Sequence, residues 1–80
     1  MEIMERLKQG VCSVNVSVDE DEIPLIEGLF ASGILDSYGL VEFIGYIETE
    51  FDIEVLDDEF ITDNFKNLIS IEQYVSKKLA

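Results

Sequence analysis

Met4, Leu7, Val11, Val14 and Val18 follow one another at intervals of three and four residues, the spacing that lines one face of an α-helix. That stripe predicts a first helix turned toward a core. Its far end is ambiguous. Val14-Asn15-Val16-Ser17-Val18 also alternates apolar and β-branched with polar positions, as a strand does, and Gly10 costs a helix about 1 kcal/mol relative to alanine. The helix reading is preferred.

From Asp19 to Gly33 an acidic run, Pro24 and two glycines predict a long connection, with a short helical turn over 24–27. Ile23, Leu25, Ile26, Leu29 and Phe30 within it need burial, so the connection should lie across the helices. Asp36 is an N-cap candidate. Behind it Leu40, Ile44, Ile47 and Phe51 recur at four, three and four, with Phe43 on the same side, which predicts a helix over 36–51. Tyr38, Glu42, Gly45 and Thr49 then share the opposite face, with Val41 and Glu48 on one flank.

Asp52 to Leu56 alternates like a strand but has no partner to pair with, and reads as a loop into a one-turn third helix over 57–61. Asn67 can cap a last helix whose Leu68, Ile71, Val75 and Leu79 face inward, with Lys77 and Lys78 at the end where the helix dipole favours cations. The expectation is an all-α fold: a small four-helix bundle of three long helices and one short one, with a long first loop.

Eighty residues predict a single domain over 1–80, and 48% apolar composition favours a folded chain despite a net charge of −13. The basic residues are Arg6, Lys8, Lys66, Lys77 and Lys78, so no cation stands between Lys8 and Lys66. Such a field repels nucleic acid and steers basic protein surfaces toward the middle of the chain. Crowded carboxylates should also repel one another in the folded state, which predicts a gain of stability with salt and with mild acidification. No apolar stretch is long enough to span a bilayer, the lone Cys12 offers no disulfide, and neither export nor a membrane span is expected.

Candidate chemistry is sparse. The chain has no histidine, no tryptophan and no nucleophile near a base at motif spacing, which argues against an enzyme. Asp19-Glu20-Asp21-Glu22 and Asp57-Asp58-Glu59 crowd oxygen ligands, but no frame supplies the glycine and glutamate of a calcium loop, so no metal site is expected. Gly33-Ile34-Leu35-Asp36-Ser37 differs from these, because it sets a serine hydroxyl in the first turn of a helix directly after an acidic cap.

Leu35-Asp36-Ser37, followed by Val41-Glu42, Ile47-Glu48, Glu50-Phe51-Asp52-Ile53 and Val55, resembles the signature of acyl carrier proteins and peptidyl carrier domains. The resemblance runs from Leu29 to about Val75, and Gly-Ile-Leu-Asp-Ser looks more like D-alanyl and other aminoacyl carriers, or specialised free-standing carriers, than like the Gly-x-Asp-Ser-Leu form of fatty-acid carriers. It implies that 4′-phosphopantetheine is moved from coenzyme A onto Ser37 by a holo-carrier-protein synthase, a phosphopantetheinyl transferase. Acyl or aminoacyl groups are then carried as thioesters between a loading ligase and downstream synthases.

Asp36 would support the attachment turn, and the resemblance makes Glu42 and Glu48 the acidic positions offered to basic partner surfaces. Tyr38, larger than the residue usual after the serine, and Val41 complete the expected partner face. A cytoplasmic monomer is the expected form. The alternatives are a D-alanyl or other aminoacyl carrier and, from a different class, an acidic helical adaptor that is never modified.

Overall fold

In the computed structural model, which describes residues 3–29, 31–60 and 62–80, the first stripe forms α1, Ile3–Val14. Leu7 and Val11 are fully buried, and Met4 and Val14 pack partly against the same core. The helix stops four residues before the stripe does. Asn15 N–H still donates to Val11 O at 2.8 Å, but the Asn15 side chain then accepts from Ser17 N at 3.1 Å, the local turn by which asparagine competes with helix. Val18 N–H closes the turn on Asn15 O, and Val18 rejoins the core from the loop rather than from the helix.

Residues 15–36 form the long first connection. Its helical turn lies at Glu20–Glu22, not at 24–27. Glu22 Oε1 accepts from Asp19 N at 3.1 Å and Glu22 N–H donates to Asp19 O, so the acidic run makes its own cap. Ile23 and Leu29 are buried as expected, whereas Leu25 and Ile26 are exposed. Their carbonyls explain the reversal: Leu25 O accepts from Ile69 N and Ile26 O from the Asn67 side chain at 2.7 Å, so this stretch docks by its backbone and turns its side chains outward. Phe30 lies outside the described residues.

The second helix, α2, spans Ser37–Phe51 with Asp36 as its cap. Leu40, Phe43, Ile44, Ile47 and Phe51 are all buried, as their spacing requires. It ends at Asp52, whose left-handed conformation (φ 53°) is one that aspartate tolerates better than most residues. Ile53 and Val55 fold back partly onto the core while Glu54 faces solvent, so the alternation after Phe51 records one-sided burial of a loop.

A turn of 3₁₀-helix at Asp57–Glu59 and a single-turn α3, Thr62–Phe65, replace the helix expected over 57–61, of which Ile61 lies outside the described residues. Glu59 caps the start of the 3₁₀ turn. Its Oε1 accepts from Leu56 N at 3.2 Å, from the Tyr74 hydroxyl at 3.1 Å and from Lys78 Nζ at 2.9 Å. The last helix, α4, spans Leu68–Leu79 with Asn67 Oδ1 accepting from Ser70 N at 2.8 Å. Leu68, Ile71 and Val75 are buried, but Leu79 is exposed, because the final turn runs past the core. Tyr74 is buried instead, tilted against Phe65 of α3 at 5.1 Å between ring centroids.

The described residues are thus all-helical, with three long helices, one short one and no strand. Helix α1 contacts both α2 and α4, and α3 lies against α4. The buried side chains form one cluster.

Carboxyl titration brings one departure from the expected acid behaviour. Glu59 is held below the usual value of 4.5 by its hydrogen bond to Lys78 and next by the Leu56 N–H. A depressed folded-state value contributes stability above the unfolded pKa, and that stability is lost as pH falls through the folded one. This contact therefore opposes the gain expected from mild acidification. Glu59→Gln is expected to lower Tm at neutral pH, with the gap to wild type closing as pH drops well under 4.5. A gap of constant size across that range would contradict the assignment.

Candidate functional site

Every element around Ser37 serves to fix where α2 begins. Gly33 turns the chain with φ +79°, a conformation that a side chain at this position would resist. Leu35 N–H donates to Leu29 O at 3.2 Å, and the buried Leu35 side chain anchors the segment from below. Asn15 Nδ2 donates to Ile34 O at 2.8 Å, tying the end of α1 to the approach to the serine. Asp36 then takes extended backbone, and its Oδ1 accepts from Gly39 N at 2.7 Å. The cap satisfies one of the N–H groups that a helix start leaves unpaired.

Ser37 follows as the first residue of α2, with its side chain exposed. Gly39, two positions on, is buried. A Cβ there would stand 3.2 Å from the Asp36 carboxylate and 3.4 Å from both Leu35 and Val14. Glycine at this point keeps the cap and the end of α1 close to the helix, which offsets its helix penalty of about 1 kcal/mol.

Of the other expected site residues, Tyr38 and Val41 are exposed at 74% and 59%, large values for such side chains, and Glu42 is also exposed. These stand on the outer face of α2, as their spacing requires. Glu48 is half-buried and serves the fold as well: its Oε2 accepts from Val55 N at 2.9 Å, holding the corner after α2. Its neighbour in space is therefore the loop, and Glu42 is the freer carboxylate of the two.

Near the start of α2, the end of α1, the first connection and α2 border an open cleft of about 360 Å³, whose lining does not include Ser37 itself. Val14, Asn15, Val16, Ile34, Tyr38 and Glu42 are among the residues that line it. The residues flanking the serine, Asp36 and Tyr38, both line it. Asn15 and Val16 escaped the sequence reading, because in sequence they belong to an alternating segment far from the serine and no spacing rule links them to it.

Cys12 offers no competing nucleophile. It is half-buried, and burial first, then the Glu20 and Asp19 charges, push its thiol above the usual range, which keeps it protonated and slow. Among the described residues no group of three or more metal-ligating side chains comes together, and no helix is long and apolar enough to cross a membrane.

No family model matches the chain. Among curated proteins it is 41% identical over 51 residues to the D-alanyl carrier proteins of Streptococcus pyogenes serotype M5 (strain Manfredo), serotype M1 and serotype M49 (strain NZ131). The match takes in 64% of this chain and 65% of each relative. The chain is thus similar to D-alanyl carrier proteins over a little less than two thirds of their length.

Proposed function

We propose that this protein is a carrier rather than an enzyme, a single domain over 1–80 that bears 4′-phosphopantetheine on Ser37. In this reading it presents acyl or aminoacyl groups to partner enzymes. The carrying observation is the exposed Ser37 hydroxyl at the first position of α2, directly after the Asp36 cap. Attached there, the arm supplies a terminal thiol that holds the cargo as a thioester. The chain's own residues fit such a group: the hydroxyl is open to an incoming phosphoryl donor, and the helix start favours the negative charge of a phosphodiester. Asp36 keeps that start in place by holding Gly39 N–H.

Counting α3 as its fourth member, the architecture is read as a four-helix bundle. The partners in this proposal are a holo-carrier-protein synthase acting on Ser37, a loading ligase and downstream synthases, met by a monomer in the cytoplasm. An aminoacyl cargo is favoured over a fatty acyl one by the names of the relatives, which are D-alanyl carriers. Incubation with coenzyme A and a broad-specificity phosphopantetheinyl transferase, followed by intact-mass measurement, tests the reading. One added phosphopantetheinyl group is expected. No gain in mass, under conditions that modify a control carrier, would favour an unmodified acidic adaptor.

Partner recognition in this proposal rests on Tyr38, Val41, Glu42 and Glu48. Glu42→Lys is expected to slow modification by a basic partner about tenfold at low salt, acting through encounter rate, with the deficit shrinking as salt rises. Glu48→Lys tests charge less cleanly, since it also removes the acceptor for Val55 N. Wild-type rates for Glu42→Lys at low ionic strength would move the recognition face elsewhere.

A further inference from the structure

We infer that Asn15, at the end of α1, is a positioning residue for the modification of Ser37: it holds the chain that enters α2, so that the serine hydroxyl stands at one fixed place. This role deepens the proposed carrier function and rests on it.

The carboxamide of Asn15 is used at both ends. Its Oδ1 accepts from Ser17 N at 3.1 Å, and its Nδ2 donates to Ile34 O at 2.8 Å. Turning the amide over would set N–H against N–H and oxygen against oxygen, so these partners admit one orientation. Because the group is planar, the local turn with Ser17 aims the other end at Ile34. The early break of α1 thus has a use, since a helix continued to Val18 would lack that turn.

Ile34 stands three residues before Ser37, and the steps between are held in turn. Leu35 is buried with its N–H on Leu29 O, Asp36 accepts from Gly39 N at 2.7 Å, and Leu40 N–H donates to Asp36 O. Val14, next to Asn15, meets α2 as well: its Cγ1 lies 3.4 Å from where a Cβ on Gly39 would stand. The end of α1 therefore grips the chain both before and after the serine. In the proposed reaction Ser37 Oγ bonds to the phosphorus that bears pantetheine, the nucleotide half of coenzyme A leaves, and the hydroxyl proton passes to the transferase. The oxygen must lie in line with the leaving group. A transferase that docks on the outer face of α2 finds it there only if the first turn does not slide.

Asn15→Ser and Asn15→Asp test this, because at neutral pH both keep an oxygen for Ser17 N and neither can donate to Ile34 O. Transfer of phosphopantetheine to either variant is expected to fall about tenfold in kcat/KM, the scale of one hydrogen bond lost at a part-buried carbonyl, with KM for coenzyme A unchanged. Amide hydrogen exchange of the unmodified variants supplies a readout that a general loss of stability would not give. Gly39 and Leu40 N–H should exchange about tenfold faster while Ile44 and Ile47 keep wild-type protection. Equal acceleration at all of these amides would make Asn15 a structural residue only and overturn the inference. So would wild-type transfer in the serine variant, which would assign any deficit in the aspartate variant to its added charge. Should neither variant fold, the unaltered protein decides: its Asn15 side-chain amide protons should exchange more slowly than those of free asparagine, and exchange at the free rate would mean that no such pin exists. Failure of the unaltered protein to take up any group would overturn the carrier reading, and this role with it, whereas wild-type transfer in the serine variant overturns the role alone.

Discussion

Ser37→Ala is expected to abolish labelling by coenzyme A analogues while leaving the fold intact. The hydroxyl is the proposed acceptor and has no structural duty to lose. Asp36 Oδ1 still accepts from Gly39 N, Leu40 N–H still donates to Asp36 O, and alanine is the best helix former for the first turn. Stability should change by no more than an exposed surface substitution does, about 0.5 kcal/mol. Incorporation should fall to background, since the nearest alternatives are poorly placed. The Ser32 hydroxyl donates to Leu29 O at 3.2 Å and stands in a turn outside the helix, and the Cys12 thiol is half-buried and raised in pKa. Intact mass and peptide mapping of the alanine variant measure this. A label retained on Ser32, or anywhere else, would remove Ser37 from its role.

Gly10→Leu is expected to cost the fold about 3 kcal/mol or more, with Tm falling by more than about 10 °C. Sequence alone points the other way, because replacing glycine inside α1 gains about 1 kcal/mol of helix propensity. Tertiary packing decides the sign. A Cβ at Gly10 would run into the Tyr46 ring and stand 2.9 Å from Phe43, a fully buried side chain that cannot yield. Tyr46 is pinned in turn, since its hydroxyl donates to Arg6 O at 3.0 Å while Arg6 pairs with Glu50. The substitution must either break that pin or push α1 away from α2. Pushing α1 away would also disturb Asn15 and with it the approach to Ser37. Gly10→Ala should fall between the two, since it keeps the propensity gain and still overlaps the ring. Thermal unfolding of both variants measures the effect, and a leucine variant as stable as wild type would mean that Tyr46 swings clear at no cost.

What the chain determined by itself was its strongest periodicity and its caps. Leu40, Phe43, Ile44, Ile47 and Phe51 are buried in one helix as their spacing predicts, because a helix with one apolar face has a single way to hide it. Asp36 and Asn67 cap the helices they precede, because capping is a contact with the next few residues and needs no distant partner. The exposed serine after Asp36 was legible for the same reason.

What sequence left undecided is long-range. Asn15 ends α1 early by a local turn, but its bond to Ile34 O, which joins it to the site, spans nineteen residues of sequence and exists only once the connection has folded over the helices. Leu25 and Ile26 face outward because α4 needs their carbonyls, and no pattern of side chains encodes that demand. Glu59 belongs to an acidic run that looks like solvated surface, and it becomes the acceptor for Leu56, Tyr74 and Lys78 only because α4 passes beside it. Gly10 and Gly39 look like weaknesses in helices. They are the places where two elements approach too closely for a side chain, and such closeness is a property of the packed molecule alone.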